Sequence, residues 1–293
     1  MRLQRTLKQE VIFEGIGLHT GRHARVCLKP APRDTGIVFI RKDKDLTIKA
    51  SVSFVTDTAF ATTLGFNGAK IRTVEHLLAA FAGLGIDNMI VEVNGPEIPI
   101  MDGSSMELTS LILKGGIAKQ SKKRPYIMIT HPVVMSDGNA EIAVLPHNGR
   151  HITYRIHFKH DLLGEQKLSL ELTEESFAME IAPARTFGFL KDVEHLKANG
   201  FARGGSFENA IILGESGILN GSGLRFKDEF VRHKILDLLG DLSLLGYPIY
   251  GHIVANKSGH TTNLKFLKKL LAHPDHWKLV AEVKEQVQTL TYS

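Results

Sequence analysis

A single cysteine, Cys27, in 293 residues excludes a disulfide framework and the small secreted scaffolds that depend on one. No run comes near the ~18 apolar residues that a membrane helix requires. The opening Met1-Arg2-Leu3-Gln4-Arg5-Thr6 lacks the apolar stretch of a secretory signal. A reducing cytoplasm is therefore the expected compartment. Aromatic residues make up 7% of the chain and do not interleave with Lys and Arg in strand alternation, so a base-stacking sheet is not expected. The net charge is nonetheless +5, with a pI near 9.2. Its basic residues are scattered except at 119–124 and 265–269, which fits general attraction to a small anionic molecule better than a nucleic-acid track. Hydrophobic residues, at 43%, are ample for one or two cores.

The chemistry begins in the run Arg232-His233-Lys234-Ile235-Leu236-Asp237-Leu238-Leu239-Gly240-Asp241. On a helix, His233, Asp237 and Asp241 share one stripe at i, i+4 and i+8, while Val231, Ile235, Leu238, Leu242 and Leu245 fall roughly opposite. An ordinary surface helix shows the same division, and two ligands do not make a site. A catalytic zinc usually takes three protein ligands and leaves a fourth position for water. The third is sought in Thr73-Val74-Glu75-His76-Leu77, where Leu77, Ala80, Phe81 and Leu84 repeat at helical spacing and Thr73 is the expected N-cap. Glu75 and His76 then point about 100° apart, one placed to ligate and the other to reach a water on the same ion. Two His, one Asp and a spare Glu are the inventory of a zinc hydrolase.

A buried strand through Tyr247 to Ala255 empties into Asn256-Lys257-Ser258-Gly259-His260, read as a loop. There His260 is suited to protonating a leaving amine and Asp241 to keeping its imidazole charged. Both halves of the chain mix strands and helices, which gives an α+β fold of two similar layered α/β sandwich domains with the active site between them. The expected domains are 1–118 and 125–293, divided at the linker-like stretch Lys114 to Pro125. Setting Leu84-Gly85 against Leu245-Gly246 places His76 on Asp237, as an ancient duplication would.

Several ordered strings resemble the zinc-dependent UDP-3-O-acyl-N-acetylglucosamine deacetylases of lipid A biosynthesis. They are Gly15-Ile16-Gly17-Leu18-His19-Thr20-Gly21, Thr73-Val74-Glu75-His76-Leu77, Gly83-Leu84-Gly85-Ile86-Asp87-Asn88 and Pro96-Glu97-Ile98-Pro99-Ile100-Met101-Asp102-Gly103-Ser104. Ala184-Arg185-Thr186-Phe187-Gly188-Phe189, Phe230-Val231-Arg232-His233-Lys234 and Lys257-Ser258-Gly259-His260 complete the set. The resemblance implies His76, His233 and Asp237 as ligands of one zinc ion, or iron(II), and Glu75 as general base. It implies His260 as general acid supported by Asp241, Thr186 at the oxyanion, and Lys234 and Lys257 at the nucleotide or developing charge. Phe187, Phe189 and an insert near 188–210 would line a passage for the acyl chain. His19 lies in a family motif near the site and is counted among the substrate-binding residues, though neither it nor Asp102 has an assigned role. The partner so implied is an acylated UDP-sugar rather than nucleic acid; the sequence leaves the oligomeric state open, with a monomer favoured.

Several members carry a cysteine shortly before the Thr-Val-Glu-His helix, where this chain reads Phe60-Ala61-Thr62-Thr63-Leu64. That departure leaves every proposed ligand, base and acid in place. Cys27 itself, in an alternating strand, reads as a structural thiol. The pairs His157/His160 and His273/His276, and the Glu194-His195 imitation in the insert, read as solvated or locally bonded side chains. A deacetylase of another acetylated sugar would share the metal logic without the acyl passage, and a nucleic-acid-binding protein would be indifferent to chelators.

Overall fold

The computed structural model describes residues 2–160, 163–215 and 217–281. Its first half runs through β1 (Leu3–Leu7), β2 (Val11–Ile16), β3 (His23–Pro30), β4 (Ile37–Arg41) and β5 (Leu46–Lys49). A small sheet of β6 (Val55–Asp57), β7 (Thr63–Phe66) and β8 (Ala69–Ile71) follows. Then come α1 (Glu75–Leu84), β9 (Met89–Asn94), α2 (Met106–Gly115) and β10 (Ile117–Lys123). The second half opens with β11 (Tyr126–Ile129), β12 (Val133–Asp137), β13 (Ala140–Leu145), β14 (Arg150–His157), β15 (Glu165–Glu171) and the single turn α3 (Glu174–Ser176). It continues through β16 (Phe187–Phe189), α4 (Leu190–Ala198), β17 (Ile211–Leu213), α5 (Glu229–Leu242), β18 (Ile249–Asn256), α6 (His260–Leu271) and β19 (Trp277–Val280).

The two halves repeat one topology. In the first sheet the order is β2-β3-β9-β4-β5, antiparallel except where β9 runs parallel to β4. The second has β12-β13-β18-β14-β15 with the same pairings, and β18 parallel to β14. Each half inserts its extra elements between the fifth of these strands and the helix that precedes the central strand. Those helices end alike: Gly85 caps α1 at φ 68°, and Gly246 closes the turn after α5 at φ 79°. His76 precedes Gly85 by the nine residues that separate Asp237 from Gly246, which accords with duplication.

Strand alternation decides which faces are covered. On β18, Ile249, Gly251, Ile253 and Ala255 are buried while Tyr250, His252 and Val254 are less so. α5 lies on β14 and β15, α6 on β12 and β13, and α2 on β2, so helices cover one face of each sheet. α1 packs along α5, and a continuous apolar core joins the halves through Leu77, Leu78, Phe81, Leu236 and Leu239. Each such side chain contributes about 1.5–3 kcal/mol by leaving water.

Three expectations are corrected. Stretch 117–123 is not a linker but strand β10, paired with β1 from Leu7↔Ile117 to Leu3↔Lys123. Thr73 does not cap α1, since Val74 stands there; Thr73 takes φ 56° and its hydroxyl donates to Glu97 Oε1 at 2.7 Å. His260 is not in a loop but opens α6. The polar stripe of α5 is buried too: His233, Asp237 and Asp241 lie inside with Val231 and Leu238, because α1 covers them, so the helix is not the ordinary surface one that shows the same division.

Candidate metal centre

The centre exists because two helices come unusually close. A Cβ on Gly240 would lie 2.1 Å from the Glu75 carbonyl oxygen, so only glycine permits this approach of α5 to the start of α1. Gly240 sits between Asp237 and Asp241, and Glu75 beside His76. The contact therefore sets the first-half pair against the second-half stripe.

His76 Nε2 lies 3.6 Å from Asp237 Oδ1, and His233 Nε2 lies 3.3 Å from the same oxygen, with the rings near-perpendicular at 5.0 Å. All three side chains are buried, and one ligand atom from each falls within 4.8 Å of the others. The proton on His233 is fixed by its neighbour. Nδ1 donates to the Ala184 carbonyl at 3.0 Å, which can only accept. Burial takes this imidazole down to about 4 despite the pull of Asp237, so at neutral pH Nε2 is a bare lone pair. That lone pair faces a carboxylate oxygen 3.3 Å away, an arrangement of two acceptors that a cation between them would relieve. The donor set, two imidazole nitrogens and a carboxylate, is that of a catalytic zinc site, and the carbonyl behind His233 is the customary outer support. Asp237 keeps its charge: burial opposes it, but Lys234, His233 and His76 hold it well below the usual carboxylate range. Lys234 Nζ donates to Asp237 Oδ2 at 2.7 Å, leaving Oδ1 for the cluster.

Beside the triad stand a further carboxyl group and imidazole, Glu75 and His260. Glu75 Oε2 accepts from the Thr62 backbone N–H at 3.0 Å, and Oε1 lies 3.9 Å from His260 Nε2. Burial pushes Glu75 up to about 7, with His260 and His76 pulling the other way. Burial alone would discharge His260, yet Asp241 and then Glu75 outweigh it and hold the imidazole at about 9. Asp241 does this through a 2.8 Å bond from His260 Nδ1, while Thr62 Oγ1 and Asn263 Nδ2 donate to it at 2.5 and 2.8 Å. Between about 7 and 9, then, a carboxylate and an imidazolium face one another across the mouth of the ligand triad.

Residues 4–272 match the family of UDP-3-O-acyl N-acetylglycosamine deacetylases. The chain belongs to that family. It is 55% identical over 271 residues to the UDP-3-O-acyl-N-acetylglucosamine deacetylase of Thermodesulfovibrio yellowstonii, covering 92% of each chain. The protein of the same name from Syntrophus aciditrophicus is 47% identical over 279 residues, 94% of this chain and 89% of that one. That of Geotalea uraniireducens is 45% identical over 294 residues, 100% of this chain and 96% of that one. Among the described residues no helix is long and apolar enough to cross a membrane.

The motifs around His19, Glu97 and Asp102 also fasten the scaffold. Glu97, fully buried, accepts from the His19 and Thr20 backbones at 2.8 and 2.7 Å and from the hydroxyls of Thr20 and Thr73 at 2.6 and 2.7 Å. It ties the loop of residues 17–21 to the lead-in of α1. His19 is buried and edge-on to Phe201 at 5.4 Å. Asp102 accepts from Ser104 N–H and Oγ and pairs with Arg225 at 2.8 Å, bracing the start of α2. Arg185 and Glu229 form a buried pair at 2.8 Å that fixes the Ala184 carbonyl behind His233.

Of the residues expected at substrate, Thr186 follows that fastened turn, its backbone N–H donating to the Gly103 carbonyl at 2.7 Å. Phe187 stands 6.3 Å from His233 and 5.0 Å from Phe230, and Phe189 leads on through Phe158 at 5.8 Å to give an aromatic wall. Lys257 is exposed just after β18, and Lys234 is held by Asp237. Sequence reasoning missed Thr62, Asn263 and Gly240. Asn263 follows His260 by one helical turn, a spacing that marks it as a neighbour, whereas nothing local reveals the other two.

Proposed function

We propose that this protein hydrolyses the acetamide of UDP-3-O-(3-hydroxyacyl)-N-acetylglucosamine to the free amine and acetate, a step of lipid A biosynthesis, with zinc as its metal and iron(II) as a substitute. The observation that carries the reading is the bare His233 nitrogen facing Asp237 Oδ1 beside an ionisable Glu75 and a charged His260. His76, His233 and Asp237 would hold the ion. The chemistry a bound divalent ion supplies there is Lewis-acid polarisation and a water pKa lowered toward about 7.

Glu75 Oε1 is placed to take a proton from the attacking water, and its elevated basicity suits that task near neutral pH. His260 Nε2 carries the proton that the departing nitrogen needs, while Asp241 holds Nδ1 and fixes the ring. Thr186 supplies a hydroxyl toward the carbonyl oxygen, an effect typically of about 3–4 kcal/mol for a well-placed donor. Lys234, committed to Asp237, sets the charge of the ligand carboxylate, and Lys257 is free to meet the diphosphate. Phe187 and Phe189 with the insert near 188–210 receive the acyl chain, supported by their aromatic wall. The two halves, 1–118 and 125–293, act as domains that each lend ligands, so a monomer suffices. The cytoplasm is the proposed compartment, supported by a lone cysteine that leaves no disulfide to form within the chain.

The test is to incubate the zinc-loaded protein with the acylated UDP-sugar and with unacylated UDP-N-acetylglucosamine. Equimolar amine and acetate from the acylated compound, with far slower turnover of the other, is the expected result. Equal turnover of both would remove the acyl passage, and no turnover of either would remove the activity.

A further inference from the structure

A second group of ligand-bearing side chains lies on the other side of the second sheet. Strand register brings it together: His151 on β14 stands opposite both Glu171 on β15 and His252 on β18. All three alternate with buried neighbours, Ile152, Leu170 and Ile253, so they project from the face turned away from α5. His147, in the loop before β14, completes the cluster. His147 Nε2 is 3.7 Å and His151 Nδ1 3.3 Å from the same oxygen, Glu171 Oε2. One ligand atom from each residue falls within 4.8 Å of the others.

Those spacings match the catalytic triad, where the corresponding distances are 3.6 and 3.3 Å. The 3.3 Å pair is at the spacing of tetrahedral zinc, whose donors at about 2.0–2.1 Å from the ion stand about 3.3–3.4 Å apart, and the 3.7 Å pair is a few tenths of an ångström wider. The outer support is present as well. His151 Nε2 bonds Ser169 Oγ at 2.9 Å, Ser169 bonds Thr153 at 2.7 Å, and Thr153 bonds His252 Nε2 at 2.9 Å. This chain of hydroxyls engages the far nitrogen of His151 and turns Nδ1 toward Glu171, as an outer hydrogen bond orients a metal-binding histidine. The Arg150 backbone N–H donates to Glu171 Oε1 at 3.2 Å, leaving Oε2 for the cluster.

We infer that His147, His151 and Glu171 form a second binding site for a divalent transition-metal ion of the zinc type, separate from the catalytic centre. It takes ions that favour imidazole, zinc, nickel and copper, over magnesium or calcium. Because the three ligands come from a loop and two strands, an ion there clips the lead-in of β14 to β15. Its exposure makes it the weaker of the two sites.

The test uses the full chain, stripped of metal and dialysed against zinc at neutral pH. The parent is expected to saturate with one equivalent more than His151→Ala or His147→Ala, and Glu171→Gln to weaken that increment about tenfold or more. Unchanged turnover of these variants at one equivalent of zinc shows that they are folded. Equal saturation of the parent and both histidine variants, or an increment that calcium fills as readily as zinc, would overturn the site.

Discussion

Two clusters in this molecule share a donor set of two imidazoles and a carboxylate, and nearly the same donor spacing, yet one is sealed between helices and the other lies open on a sheet. Unit charges 3.3 Å apart attract by about 1 kcal/mol in bulk water and about 5 kcal/mol at an effective dielectric near 20. Burial also settles protonation: the Ala184 carbonyl admits only one tautomer of His233, whereas the hydroxyl of Ser169 can donate or accept to His151. Above all, the buried triad has a carboxyl group and an imidazole facing one another beside it, in Glu75 and His260. Ligand geometry makes a metal site, and the groups next to it make an enzyme.

The largest contrast comes from removing one histidine of each cluster. His233→Ala should lose the tight metal and turnover together, by about 10⁴-fold or more, read by bound zinc and amine release. His151→Ala should leave turnover at one equivalent of zinc unchanged. Next, Glu75→Ala should keep its metal and lose about 10²–10⁴ in kcat, the usual contribution of a positioned base. Loss of metal in that variant would make Glu75 a ligand.

The pH profile sharpens the same division. His260, raised to about 9, must be protonated, so activity should fall as pH rises through about 9. Glu75, raised by burial to about 7, must be ionised, so activity should fall on the acid side, at or below 7 once a cation at the triad draws its pKa down. His260→Ala should erase the alkaline limb, while His147→Ala should leave both limbs in place. The smallest effect is expected from Asn263→Ala, which removes one of the donors to Asp241: about tenfold in kcat, with the alkaline limb displaced.

The buried candidate metal cluster was legible because helices write their partners at fixed intervals. His233 and Asp237 stand four apart, Asp241 four further on, and His76 begins a helix with an evident apolar repeat. What brings the helices together was not legible, since the absence of a side chain at Gly240 has meaning only against the Glu75 carbonyl across from it. Thr62 likewise acts through its backbone N–H as well as its hydroxyl. Amphipathicity alone could not separate α5 from a surface helix, because it reports polarity and not what covers it; here α1 covers the polar stripe. The open cluster was invisible, as His151 and Glu171 are twenty residues apart and meet only through the register of β14 and β15. Likewise 117–123 has the composition of a linker and pairs with β1 regardless, as a strand with one solvated face can.

The most direct test restores zinc in steps to the metal-stripped protein and follows amine release from the acylated UDP-sugar together with bound metal. Turnover that rises with the first equivalent and is complete when it is bound, in both the parent and His151→Ala, is the expected result. Stoichiometric zinc binding without turnover, or turnover that follows the second equivalent, would contradict the assignment of catalysis to His76, His233 and Asp237.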